Sequence, residues 1–145
     1  MNERENALFH DSLARCAAEP GFLPRFGEFF LAAPDVVEMF RDFDSERRMR
    51  VLKSSLHLMV ATSDGNLEGR ARLVRVAAGH RTRGITIRPE HYDHWLECLI
   101  RTVQEFDPKF SAEVEKAWRG RMQGGIALMK SFCEGDVNPG GPGAA

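Results

Sequence analysis

Apolar residues recur at helical spacing from Phe9 to Met129, and no run alternates apolar with polar as a half-buried strand would. That periodicity, punctuated by proline and glycine, directs the chain to an all-α fold. Phe9, Leu13 and Cys16 mark a first helix that ends before Glu19-Pro20-Gly21, and Phe22, Phe26, Phe29 and Phe30 form an aromatic stripe on a second. Ala33-Pro34-Asp35 breaks that helix because proline cannot continue the preceding ladder. Pro34 itself suits the first turn of a short helix reaching Phe40. Arg41 to Ser45 reads as a turn with Asp44 or Ser45 as N-cap. The helix that follows, about Glu46 to Ala61, turns Leu52, Leu56, Met59 and Val60 inward and Lys53, His57 and Asp64 outward.

Ser63-Asp64-Gly65-Asn66 is a second turn. Beyond it Leu67, Leu73, Val76, Ala77 and His80 share one face of a weaker helix. Gly84 opens a β-branched, non-helical stretch, Ile85-Thr86-Ile87-Arg88, that stops before Pro89. Trp95, Leu96, Leu99, Ile100, Val103 and Phe106 then define a strong helix. After Asp107-Pro108 a last helix is expected over about Ser111 to Cys133, with Val114, Trp118, Met122, Ile126 and Met129 inward. Gly135 to Ala145 is Gly/Pro-rich and reads as a disordered tail, leaving one domain over residues 1–134.

A chain of 145 residues suits one domain with a real core. Its net charge of −1 supplies no global attraction to nucleic acid or to an anionic membrane, so neither is expected as a partner. No stretch approaches the ~20 apolar residues of a membrane span. The charged N-terminal residues do not read as a signal peptide. Three scattered cysteines, Cys16, Cys98 and Cys133, form no CxxC and fit a reducing compartment. A cytoplasmic location is expected. GxSxG, HExxH and P-loop patterns are missing from the sequence, and none of the five histidines lies in a Glu-x-x-His motif. His94 and Cys98 lie one helical turn apart, but two ligands make no closed metal site. His57, His91 and His94 read as surface residues, and His10 has no evident partner.

His80 is the residue on which function turns. It closes an amphipathic helix on its apolar side, between two glycines, where an all-helical pocket can offer a nitrogen to a haem iron. Around it Arg70, Arg72, Arg75, Arg81, Arg83 and Arg88 stand against a single acid, Glu68. These cations suit an acidic cofactor such as haem with its propionates; the plainer reading is a solvated basic face. The phenylalanines of the first third, ending with Phe40 and Phe43, are either ordinary core or the wall of a flat ring.

In order and spacing these segments resemble a bacterial single-domain globin, over nearly all the chain to about Phe132. The matching pieces are Phe29-Phe30, Ala33-Pro34 and Met39-Phe40; Asn66 to Gly69; Gly79-His80 with Gly84-Ile85; Pro89-Glu90-His91-Tyr92; and Ala117-Trp118. The resemblance implies a globin fold, its helices packed around a pocket for haem b, with His80 as the proximal iron ligand and Phe40 against the porphyrin. It also implies that Phe26, Leu52, Arg83, Ile87 and Tyr92 lie around the cofactor. Counting back from His80 puts the distal residue at Arg48; counting forward from Phe40 puts it at Arg50, and Arg48 is preferred because it aligns Met49, Leu52 and Leu56 inward. Phe26 stands where many bacterial globins carry a tyrosine over the bound gas, and it has no hydroxyl to donate. The link from His80 to Tyr92 is about two residues longer than usual. The function so implied is reversible binding of a diatomic gas (oxygen, nitric oxide or carbon monoxide) by a monomer or homodimer. The alternatives are a haem enzyme removing nitric oxide or peroxide with an external reductase, and a haem-free helical interaction module.

Overall fold

The computed structural model describes residues 2–82 and 87–137, with the side chains of 81, 82 and 134–137 excepted. Among the described residues the fold is all-α: seven helices and no strand. They are α1 (Glu3–Ala17), α2 (Phe22–Phe30), α3 (Pro34–Met39), α4 (Ser45–Ser63), α5 (Leu67–Thr82), α6 (Pro89–Phe106) and α7 (Ala112–Val137). No described helix is long and apolar enough to cross a membrane.

Local chemistry sets most boundaries. Asn2 and Asp44 cap α1 and α4, each side chain accepting the backbone N–H of the third residue on at 2.8 Å. Pro34 and Pro89 open α3 and α6, where their missing N–H would find no partner anyway. Asn66 likewise holds the N–H of Gly69 at 2.7 Å. Gly65 turns the chain between α4 and α5 at a φ of +82°, a conformation side chains with a Cβ resist. The last helix continues to Val137, past the expected end near Cys133. Residues 138–145 of the expected tail lie outside the described residues.

The core is one cluster built on α7. Ala117, Trp118 and Met122 have no solvent exposure, and α7 packs on α1, α4, α5 and α6. The aromatic stripe of α2 lies against α6, where Phe26 meets Trp95 edge-on at 5.7 Å. The remaining principal contacts are α4 with α5 and α2 with α4. Burial of Cys16 and Cys98 pushes their thiols up to about 12 and about 11, so both act as small apolar side chains.

One expected face is corrected. On α5 only Leu73 and Ala77 of the expected apolar set are buried; Leu67 is 82% exposed and Val76 38%. The buried stripe is instead Gly69, Leu73 and Ala77, every fourth residue. The rotation follows from the close approach of α4 and α5: a Cβ on Gly69 would lie 2.8 Å from the Ala61 Cβ. Because that neighbour cannot swing away, Gly69→Ala is expected to destabilise by about 1–3 kcal/mol despite alanine's better helix propensity. Chemical denaturation checks this, and an unchanged midpoint would show that the helices are free to separate.

Candidate functional site

The described structure contains no group of three or more His, Cys, Asp or Glu side chains able to hold a metal ion. Among the described residues, what an iron is offered comes as single donors. Of the five histidines, one is exposed on α4 and three have partners elsewhere in the fold.

His57 lies exposed on α4, as its polar face predicts. His91 was expected at the surface and is instead buried, 6% exposed. Its Nδ1 accepts the Arg88 N–H at 3.0 Å, which fixes the other nitrogen as the donor, and Nε2–H reaches Asp35 Oδ2 at 2.7 Å. That hydrogen bond holds the Asp35 carboxyl below its ordinary value. His91 thus clasps the start of α6 to the start of α3. His94 is half-buried, not on the surface: Nε2–H donates to the Phe30 carbonyl at 3.1 Å, and the ring stacks on Phe30 at 5.6 Å. His10 does have partners, Arg121 and Asp64, each 3.2 Å from its Nε2. Their partners are distant in sequence, so no local pattern announces them. One signal was available for His91, which stands three residues after an N-cap that precedes Pro89 and can reach back to that residue's N–H.

His80 remains. It is half-buried at the C-terminal end of α5, on the side of the helix that carries Leu73 and Ala77. It has an interaction within the chain.

The other expected site residues fall into two groups. Phe26 is fully buried and enclosed by rings, with Phe30 at 6.4 Å and Trp95 at 5.7 Å. Leu52 is 4% exposed on the inner face of α4. Phe40 is half-buried between Phe30 at 6.4 Å and Phe43 at 5.7 Å, both edge-on. Tyr92 is half-buried against the core. Ile87 is half-buried, and its carbonyl accepts the Cys133 thiol at 3.0 Å, tying the residues before α6 to α7.

Arg48 is partly buried, and its Nε donates to the carbonyls of Phe40 at 3.1 Å and Phe43 at 2.9 Å. It straps the α3–α4 corner directly behind Phe40. Arg50, the other register, is exposed and pairs with Glu46 at 3.6 Å. Arg83 lies outside the described residues.

These residues fit an iron porphyrin on the chemistry of the donor set. A lone imidazole cannot close a metal site by itself. A porphyrin supplies four nitrogens of its own and asks the chain for one axial donor and apolar walls. His80 would offer the donor, and Leu52, Phe40 and Ile87 apolar surface.

No family model matches the chain, and no curated protein matches it. Among solved structures it is similar to a protein of Pseudomonas aeruginosa PAO1 described as structurally highly homologous to a human hemoglobin. The two share 32% sequence identity with a TM-score of 0.78, over 88% of this chain and 97% of the other.

Proposed function

Since the chain belongs to the bacterial globin-like proteins, we propose that it holds haem b and binds a diatomic gas reversibly. The observation that carries this reading is the position of His80, half-buried on the inner side of α5 in a chain whose described residues hold no multidentate metal site. Bound there, haem would supply the iron on which a gas is held. The chain's residues would hold and shield it: His80 as axial ligand, Phe40 and Leu52 as apolar contacts, Ile87 and Tyr92 at the corner leading into α6.

The side opposite His80 is where this chain would set its ligand preference. Phe26 is sealed among aromatic rings and carries no donor, so it gives bound oxygen no hydrogen bond. Arg48 stands next to Met49 at the start of α4, held across the corner by its Nε. Arg48→Leu should speed the dissociation of azide or cyanide from the ferric form; an unchanged off-rate would move any distal role to another residue.

The reading is tested by titrating the purified protein with haem. A Soret band that saturates at one haem per chain is expected, followed by reversible shifts with carbon monoxide or oxygen after reduction. A protein that takes up no haem would overturn the proposal.

A further inference from the structure

Trp95 is 5% exposed on α6 and lies edge-on to Phe26 at 5.7 Å. Of the two described rings against Phe26, Phe30 and Trp95, only the indole carries a hydrogen-bond donor. That N–H crosses to α4 and donates to Ser55 Oγ at 3.1 Å. Ser55, half-buried, donates in turn to the carbonyl of Leu52, three residues back, at 2.6 Å. An indole has one proton to give and a hydroxyl has one. Both are spent within the protein, so the pair closes on itself.

Two observations set this pair at an open face of α4 and not in the sealed core. Among the described residues α4 and α6 are not a principal packing pair, so the bond joins helices that meet here through side chains. Val51, four residues before Ser55 and thus on the same face, is 38% exposed. The neighbouring face of α4, with Leu52, Leu56 and Met59, is buried.

We propose that Ser55 sets the ligand preference of this chain by holding the Trp95 indole N–H away from the gas. The proposal rests on the haem reading above and deepens it. With the indole so held, the wall of Phe26, Leu52 and Trp95 offers the gas no available donor. Oxygen held on a haem gains negative charge and is retained by a nearby donor, whereas carbon monoxide gains little. A chain built this way releases oxygen readily. Ser55 is a positioning residue, acting through Trp95. When its hydroxyl is removed the indole N–H loses its partner, and a buried donor left unpaired is costly. The gas then becomes the acceptor that relieves it.

The test compares the parent with Ser55→Ala, Ser55→Thr, Trp95→Phe and Ser55→Ala/Trp95→Phe. Soret titration first establishes haem uptake by each. Exchange of the indole N–H with deuterated water is followed by NMR, with Trp118 as internal reference because Ser12 holds its N–H at 2.9 Å. The Trp95 proton should be protected in the parent and in Ser55→Thr. In Ser55→Ala without gas it should exchange about tenfold faster, with Trp118 unchanged. Ser55→Ala should release oxygen about three- to tenfold more slowly than the parent, the worth of one hydrogen bond. Its release of carbon monoxide should stay near the parent rate. Ser55→Thr, Trp95→Phe and the double variant should all release oxygen as the parent does. Oxygen release by Ser55→Ala at the parent rate or faster overturns the proposal, as does a double variant as slow as Ser55→Ala. Faster release by Trp95→Phe also overturns it, because the indole would then already serve the gas in the parent. A chain that takes up no haem overturns the functional reading and this proposal together; normal uptake with these contrary rates overturns this proposal alone.

Discussion

A His80→Ala variant is expected to lose haem affinity by more than about 100-fold. The magnitude follows from what remains when the imidazole is removed. Disturbing a residue that merely supports a metal ligand already costs 10–100-fold in typical sites, and His80 is proposed as the ligand itself. Apolar contact with Leu52, Phe40 and Ile87 would still shelter the porphyrin, but no neighbour can replace the axial nitrogen. His94 is committed to the Phe30 carbonyl and His91 to Asp35. His57→Ala is the matched control, since that side chain is exposed on α4. Soret titrations of the two variants give the answer, and equal haem retention would show that another residue holds the iron.

The second large effect lies far from that site. Asp107 is 3% exposed and accepts four hydrogen bonds: from Ser12 Oγ at 2.5 Å, from Arg15 Nε and Nη2 at 2.6 and 2.9 Å, and from the Lys109 N–H at 2.9 Å. Ser12 in turn accepts the Trp118 indole N–H at 2.9 Å, so the network joins α1, the α6–α7 corner and α7. Truncation to Asp107→Ala strands Ser12 and Arg15, and a loss of about 3 kcal/mol is expected. In a chain this long that is on the order of 10 °C in Tm. Burial alone would raise the Asp107 pKa, but the bonds from Arg15, Ser12 and the Lys109 N–H outweigh it and hold the group below its ordinary 3.8. A depressed folded pKa means the contribution is complete above the unfolded value and is lost as pH falls through the folded one. The parent should therefore lose stability more steeply than Asp107→Asn below about pH 4. Parallel acid limbs for the two proteins would show that the carboxylate titrates alike in both states.

How legible these features were in the sequence depended on how local their causes are. Pro34, Pro89, Asp44 and the alternation of turns with apolar stripes act within a helical turn, and the helix order follows from them. The orientation of α5 was not legible, because it depends on how closely Gly69 approaches Ala61 on another helix. The same holds for the polar side chains. Asp107 reads in sequence as half of an Asp-Pro turn; its partners Ser12 and Arg15 are 95 and 92 residues away. His91 and His94 read as surface residues because Asp35 and the Phe30 carbonyl lie 56 and 64 residues away. The place of His80, half-buried near a helix end, was legible because its signals are local: an apolar helix face and a helix end. For Arg48 the sequence supplied a position on α4, but not the corner carbonyls that hold its Nε.

The Asp107–Ser12–Trp118 network also sets a timetable for the chain as it is made. The first helix has its principal packing partners on α6 and α7, and Ser12 and Trp118 are 106 residues apart. At ordinary synthesis rates of 5–20 residues per second, the gap is on the order of 5–20 s. Over that interval Phe9 lacks the Trp118 ring it finally meets edge-on at 4.8 Å. The apolar side of α1 is thus presented to solvent, or to a chaperone, until the last quarter of the chain emerges. Closure of the fold is then an event that brings the two ends of the domain together.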